Sequence, residues 1–200
     1  MKFTEEAKVE IVFGDGSTDR MIIKEVMDKN KHKYCKLSLF LPESGVKGIV
    51  IEVITGIRGV LKFIKNDISK FSMSYIVFID KEHCNSDCER CIRESAREYG
   101  ITVSTIDRLS EDLDIYKLKC TVGNKDFSVY FIFLGFTCCI EDFILKICNQ
   151  VISEYDRKGC CKKYKDQLNR LPKEIRGKCV ESAENELFKI IEIVLNDLTN

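Results

Sequence analysis

The run SYIVFIDKE, residues 74–82, sets Ile76, Val77, Phe78 and Ile79 in an unbroken apolar row and then stops at Asp80-Lys81-Glu82. A strand that is apolar at consecutive positions, rather than at every second one, is covered on both faces, which is the situation of a central strand in a helix-flanked parallel sheet. Upstream, KVEIVF (8–13) is a second β-rich run, and it breaks at Gly14-Asp15-Gly16. A helix then follows from Asp19 to about Asn30, capped by Thr18, with Met21, Ile22, Val26 and Met27 on its apolar side. KYCKLSLFL (33–41) and GIVIEVI (48–54) read as strands, and GIRGVLKFIKNDISKF (56–71) carries Val60, Leu61, Ile64 and Ile68 at helical spacing. Downstream come a helix from Ser86 to Tyr99 closed by Gly100, a strand at 102–106, and a hairpin of 116–122 with 127–136 around Gly123-Asn124. CIEDFILKICNQVISEY (139–155) has a helical period, and 160–198 reads as one or two helices, with Pro172 in the first turn of the second. Strands alternating with helices predict an α/β fold: a mainly parallel sheet flanked by helices over residues 1–156, with a helical C-terminal extension, 157–200, packed on it.

The chain has 200 residues, 44% hydrophobic and 32% charged, with two prolines, which suits a globular fold with a real core. Lys+Arg and Asp+Glu are both 32, so overall charge argues for no nucleic-acid partner. No apolar run reaches the roughly 18–20 residues of a membrane span. The opening MKFTEEAKVEIVF lacks the apolar core of a secretory signal, so a cytoplasmic, membrane-free location is expected.

In open α/β sheets, ligands gather beyond the carboxyl ends of the strands. Two of the strongest strands here run directly into acids: Asp15 and Asp19 after the first, Asp80 and Glu82 after the third. Were those strands neighbours, four carboxylates would meet on one edge, a donor set for a hard divalent ion. Gly16 allows a tight turn, and Gly16 and Ser17 lead into a helix, beginning near Thr18, whose positive end suits phosphate. Lys81 is placed to contact that phosphate, or else extends into solvent. Acids that merely cap helices and end strands are the plainer alternative.

These segments resemble the Toprim domain. IVFGDGSTDRMIIKEVM (11–27) is similar to its opening motif, an apolar strand followed by Glu-Gly-x-x-Asp and an amphipathic helix. SYIVFIDKE is similar to its second motif, a strand ending in Asp-x-Asp, and GIRGVLKFIK (56–65) to the Gly-containing helix between the two. LGFTCCIEDFILKI (134–147) resembles a later segment of small stand-alone Toprim proteins akin to the overcoming-lysogenization-defect nucleases. The likeness spans residues 8 to 148. It implies a Mg²⁺ (or Mn²⁺) dependent phosphoryl-transfer protein, foremost a nuclease acting on DNA or RNA. Asp15 would stand for the family's glutamate as base or metal ligand, Asp19 for the acid after it, and Asp80 and Glu82 for the metal-holding pair. Glu141 and Asp142 match the later acidic segment. Asp15 is one methylene shorter than the family's residue and Glu82 one longer, and a displacement of about 1 Å can cost on the order of 100-fold in rate. A catalytically inactive Toprim-fold module that binds nucleic acid or a protein partner is therefore the alternative. A homodimer is the assembly considered.

Eleven cysteines are many for an intracellular chain, and most are expected to be reduced core residues. Cys84, Cys88 and Cys91 have the CxxxCxxC spacing of radical-SAM enzymes, which hold an iron–sulfur cluster, and a zinc site with His83 is another reading. The chain is short for that barrel, however, and Arg90 stands where those enzymes have an aromatic. Packing of Cys88, Ile92, Ala96 and Tyr99 on one helical face, or a redox pair, is the preferred account of the spacing. In an oxidising or thermophilic setting a disulfide from Cys160 or Cys161 to Cys179 would staple the tail helices; unpaired core thiols are the equal alternative. Between Arg157 and Lys178 nine basic residues (157, 158, 162, 163, 165, 170, 173, 176, 178) face two acids (166, 174). Lys162, Lys163, Lys165 and Arg170 are the expected contacts to a phosphate backbone, with a solvated helix face as the alternative.

Overall fold

The computed structural model describes residues 7–14, 17–30, 37–40, 56–70, 73–84, 87–110, 114–150 and 159–199. In chain order the elements are β1 (Ala7–Phe13), α1 (Ser17–Asn30), β2 (Leu37–Phe40), α2 (Gly56–Ile68), β3 (Ser74–Asp80), α3 (Cys88–Glu98), β4 (Thr102–Arg108), β5 (Ile115–Val122), β6 (Lys125–Leu134), α4 (Ile140–Ile147), α5 (Cys160–Arg170) and α6 (Lys173–Thr199). Among the described residues, six strands form one sheet in the order β2-β1-β3-β6-β5-β4.

The apolar run at 76–79 does what its composition dictates. β3 lies between β1 and β6, parallel to both, with Phe78 opposite Phe13 on one side and Ile132 on the other. Its side chains alternate between faces: Ile76 and Phe78 enter one apolar cluster, and Tyr75, Val77 and Ile79 enter the other. The first cluster is closed by α1, α4, α5 and α6, through residues such as Ile23, Ile144, Tyr164, Leu187 and Ile191. The second is closed by α2 and α3, through Leu61, Ile64, Ile68 and Ile92. The C-terminal helices are thus one wall of the main core, as the expected packing of 157–200 on the sheet requires.

β5 runs antiparallel to β6, as the expected hairpin requires, and also to β4, so the mainly parallel sheet has an antiparallel side. The Gly123-Asn124 turn leaves room for nothing but a direct return of the chain, and β4 extends that meander as an edge strand with mostly exposed side chains. Thr18 does not cap α1, which already begins at Ser17. Met21 points to solvent, and Ile23 takes its place in the core. α4 stops at Ile147, where Asn149 adopts φ 52° and turns the chain. The strand expected at 48–54 and residues 33–36 lie outside the described residues.

Candidate functional site

The strand register builds the site. β1 and β3 are parallel neighbours, with the Gly14 amide donating to the Phe78 carbonyl at 2.8 Å, so both strands deliver their C-terminal ends to the same edge of the sheet. α2 starts at that edge as well, its Gly56 amide donating to the Gly14 carbonyl at 3.1 Å. Asp19, in the first turn of α1, and Asp80, the last residue of β3, are both buried there, 4% and 7% exposed. Such burial is expensive for a carboxylate unless something satisfies it. Asp80 meets that need by accepting the Ile140 amide at the start of α4, at 3.2 Å, and the Cys161 thiol at 3.9 Å. Asp15 and Gly16, and the Ser17 side chain, lie outside the described residues, so the convergence of Asp15 with this group is not among the observations.

Beyond Asp80 the chain enters a single 3₁₀ turn, Lys81–His83. Glu82 is held over the loop before α4 by its own amide, which donates to the Cys138 carbonyl at 2.8 Å. Its Oε2 lies 3.8 Å from the sulfurs of both Cys138 and Cys160. Those two cysteines are joined in a disulfide. The Cys161 sulfur sits 3.2 Å from that of Cys138, and the ligand atoms of Glu82, Cys138, Cys160 and Cys161 all fall within 4.8 Å of one another. The Cys161 thiol is driven upward in pKa by hydrogen bonding to Cys139 and then by burial.

The loop that carries Cys138 and Cys139 is held by one side chain. Asp142 Oδ1 accepts from the Phe136 amide at 2.7 Å, and its Oδ2 accepts from the Cys138 amide at 2.6 Å and the Thr137 hydroxyl at 2.8 Å. Asp142 is therefore a structural anchor, 1% exposed, rather than an open metal ligand; Glu141 is buried beside it. Cys160 and Cys161 are the first two residues of α5, so the N-termini of α4 and α5 both point at the carboxylates and sulfurs, and their partial positive charge favours anionic groups there.

Lys81 turns away from this group. It pairs with Asp114 and donates to the Phe136 carbonyl at 3.2 Å, lining a cleft floored by Phe143, Leu187 and Ile190. Arg108 takes the other Asp114 oxygen at 3.1 Å. Lys162, Lys163, Lys165 and Arg170 all stand exposed on α5, whose buried stripe is Cys160, Tyr164 and Leu168.

The Cys84, Cys88 and Cys91 thiols also come together, as an independent group at the start of α3. Cys84 is raised in pKa by hydrogen bonds to Cys88 and Cys91, while Cys88 is lowered, chiefly by the bond from Cys84. Cys88, Ile92 and Ala96 share the buried helical face. The disulfide expected between Cys160 or Cys161 and Cys179 does not form; Cys179 bonds Cys148 and Cys160 bonds Cys138. What the sequence reading missed is the convergence of Cys138, Cys160 and Cys161 on Glu82. The two pairs of adjacent cysteines at 138–139 and 160–161 were its only visible trace.

Carboxylate oxygens such as that of Glu82 are hard donors, whereas the three sulfurs beside it suit a softer ion than Mg²⁺. No protein-family model matches this chain, and neither a curated protein nor a solved structure does. Among the described residues, no helix is long and apolar enough to cross a membrane.

Proposed function

We propose that the chain is a metal-dependent phosphoryl-transfer protein of the Toprim type, acting on a nucleic-acid phosphodiester. The observation that carries this reading is the parallel pairing of β1 with β3, because it takes the two acid-bearing strand ends to one edge. A bound Mg²⁺ or Mn²⁺ would neutralise the scissile phosphate and lower the pKa of an attacking water. Asp80 and Glu82 would hold that ion, Asp19 would support it, and Asp15 would serve as ligand or base. The start of α4 orients Asp80 through the Ile140 amide. The exposed bases of α5 would track the phosphate backbone.

A second reading, a silent module that binds nucleic acid or a protein, draws on a specific observation too. Glu82 faces sulfurs, and Lys81 is committed to Asp114. Incubating the protein with single- and double-stranded DNA and RNA in Mg²⁺, Mn²⁺ or EDTA separates the two. On the first reading cleavage requires the divalent ion and Asp80→Asn abolishes it. Asn Oδ1 can still accept the Ile140 amide, and circular dichroism of the variant checks that it is folded. Cleavage by Asp80→Asn at the parent rate, or none by the parent with any of these substrates, rejects the enzymatic reading.

A further inference from the structure

Three cysteine sulfurs meet the Glu82 carboxylate at the sheet edge, and the phosphoryl-transfer reading has no use for the sulfurs. We infer that Glu82, Cys138, Cys160 and Cys161 form a binding site for a soft divalent cation, Zn²⁺ by preference, that exists only when the Cys138–Cys160 bond is reduced. The inference goes beyond the phosphoryl-transfer reading and stands without it.

The geometry comes first. A tetrahedral zinc site with Zn–S distances of about 2.3 Å sets its sulfurs roughly 3.8 Å apart. Here Cys161 lies 3.2 Å from Cys138, Glu82 Oε2 lies 3.8 Å from Cys138 and from Cys160, and all four ligand atoms fit within 4.8 Å. Opening the disulfide lets the remaining sulfur pair separate toward that spacing. Three sulfurs and one carboxylate oxygen are a complete four-coordinate set, of the kind that selects Zn²⁺ over Mg²⁺.

Electrostatics and support come second. Three thiolates and a carboxylate on one Zn²⁺ leave a net negative centre, and the N-termini of α4 and α5 face it. The ligands are also held from outside: Asp142 fixes the Cys138 amide, and Glu82 is tied to the Cys138 carbonyl by its own amide. Outer contacts of this kind hold metal ligands in place.

The two states exclude each other because a sulfur bound to sulfur has no thiolate to offer. A cellular dithiol supplies two electrons and two protons to the Cys138–Cys160 bond and becomes a disulfide itself; a phosphine in the test tube supplies the two electrons and becomes a phosphine oxide, with water providing the two protons and the oxygen. Two thiols result. Zn²⁺ then displaces three protons, one each from Cys138, Cys160 and Cys161, as it binds.

The test uses the full chain and Zn²⁺ alone, with no nucleic acid, so its outcome is independent of any cleavage. After phosphine reduction and removal of adventitious metal, the protein should take up one Zn²⁺ per chain, and Co²⁺ in its place should give thiolate charge-transfer bands and the intense visible absorption of a tetrahedral site. Oxidation with a disulfide-forming reagent should release the ion. Cys161→Ser and Glu82→Gln change half-exposed residues outside the disulfide, and each should weaken binding by at least about ten-fold. Circular dichroism of the metal-free variants checks that they are folded. Cys88→Ser/Cys91→Ser should bind as the parent does. The inference is overturned if the reduced parent binds no Zn²⁺, if the folded Cys161→Ser and Glu82→Gln proteins bind it undiminished, or if the Cys88→Ser/Cys91→Ser protein is the one that loses it.

Discussion

Gly135 stands where no other residue fits. Its φ is +94°, and a Cβ there would run into the backbone of Cys139. This contact lets the chain leave β6 and fold back at once onto the N-terminus of α4. Gly135→Ala should therefore cost at least about 2 kcal/mol, from left-handed strain and the forced shift of the loop. A urea midpoint that stays at the parent value would refute this. Asp142 makes the opposite kind of contribution, by what its side chain adds. It receives amides and a hydroxyl from the very loop Gly135 releases, so Asp142→Asn sets an NH₂ against N–H donors and should lose on the order of 2 kcal/mol. Neither role was legible in the sequence. The resemblance cast Asp142 as a further member of the acidic edge, because a residue's type reveals that it is an acceptor but not which donors the fold brings to it.

Among elements, the β1–α2–β3 unit shows most directly how much a pattern can convey. Val60, Leu61, Ile64 and Ile68 are spaced for a helix, and all four are buried; the unbroken row at 76–79 became the strand enclosed on both sides. The Gly123-Asn124 turn signalled the return of the chain from β5 into β6, but the direction of β4 was hidden, since alternation reports which face a residue occupies and says nothing of which way the strand runs. The sulfur group was hidden for another reason: Glu82 and Cys138 are 56 residues apart, and only the parallel pairing of β3 with β6 brings the loops after them together. The same unit yields a pH dependence. Glu10, opposite Tyr75 across the β1–β3 ladder, is raised from 4.5 to about 7, first by burial and then by the charge of Asp67 on α2. Asp67 itself accepts the Tyr75 hydroxyl at 2.8 Å. The folded chain thus keeps a proton that the unfolded chain releases. This contribution is complete below 4.5 and disappears as pH rises through about 7. Across that interval the melting midpoint should fall, and Glu10→Gln should flatten the step; an unchanged slope in the variant would assign it to other groups.

At the scale of the whole molecule, α5 and α6 complete the chain's main core, because Tyr164, Leu168, Ala183, Leu187, Ile191 and Val194 face the sheet and α1. The Cys148–Cys179 bond ties α6 to the end of α4 across 31 residues, and Cys179 is fully buried. Closing a loop of that length removes about 3–4 kcal/mol of denatured-state entropy. Cys148→Ala/Cys179→Ala should accordingly unfold at a lower denaturant concentration than the parent under oxidising conditions, by about 3 kcal/mol, and the gap should narrow to the packing loss once both are reduced. The two disulfides can be told apart, because only one of them shares its sulfurs with Glu82 and Cys161. Reduction also opens Cys138–Cys160, and Zn²⁺ added afterwards should restore part of the lost stability in parent and double variant alike, since binding to the native state alone stabilises it by mass action. A gap between parent and double variant that ignores reductant would mean that Cys148 and Cys179 contribute through packing and not through their bond.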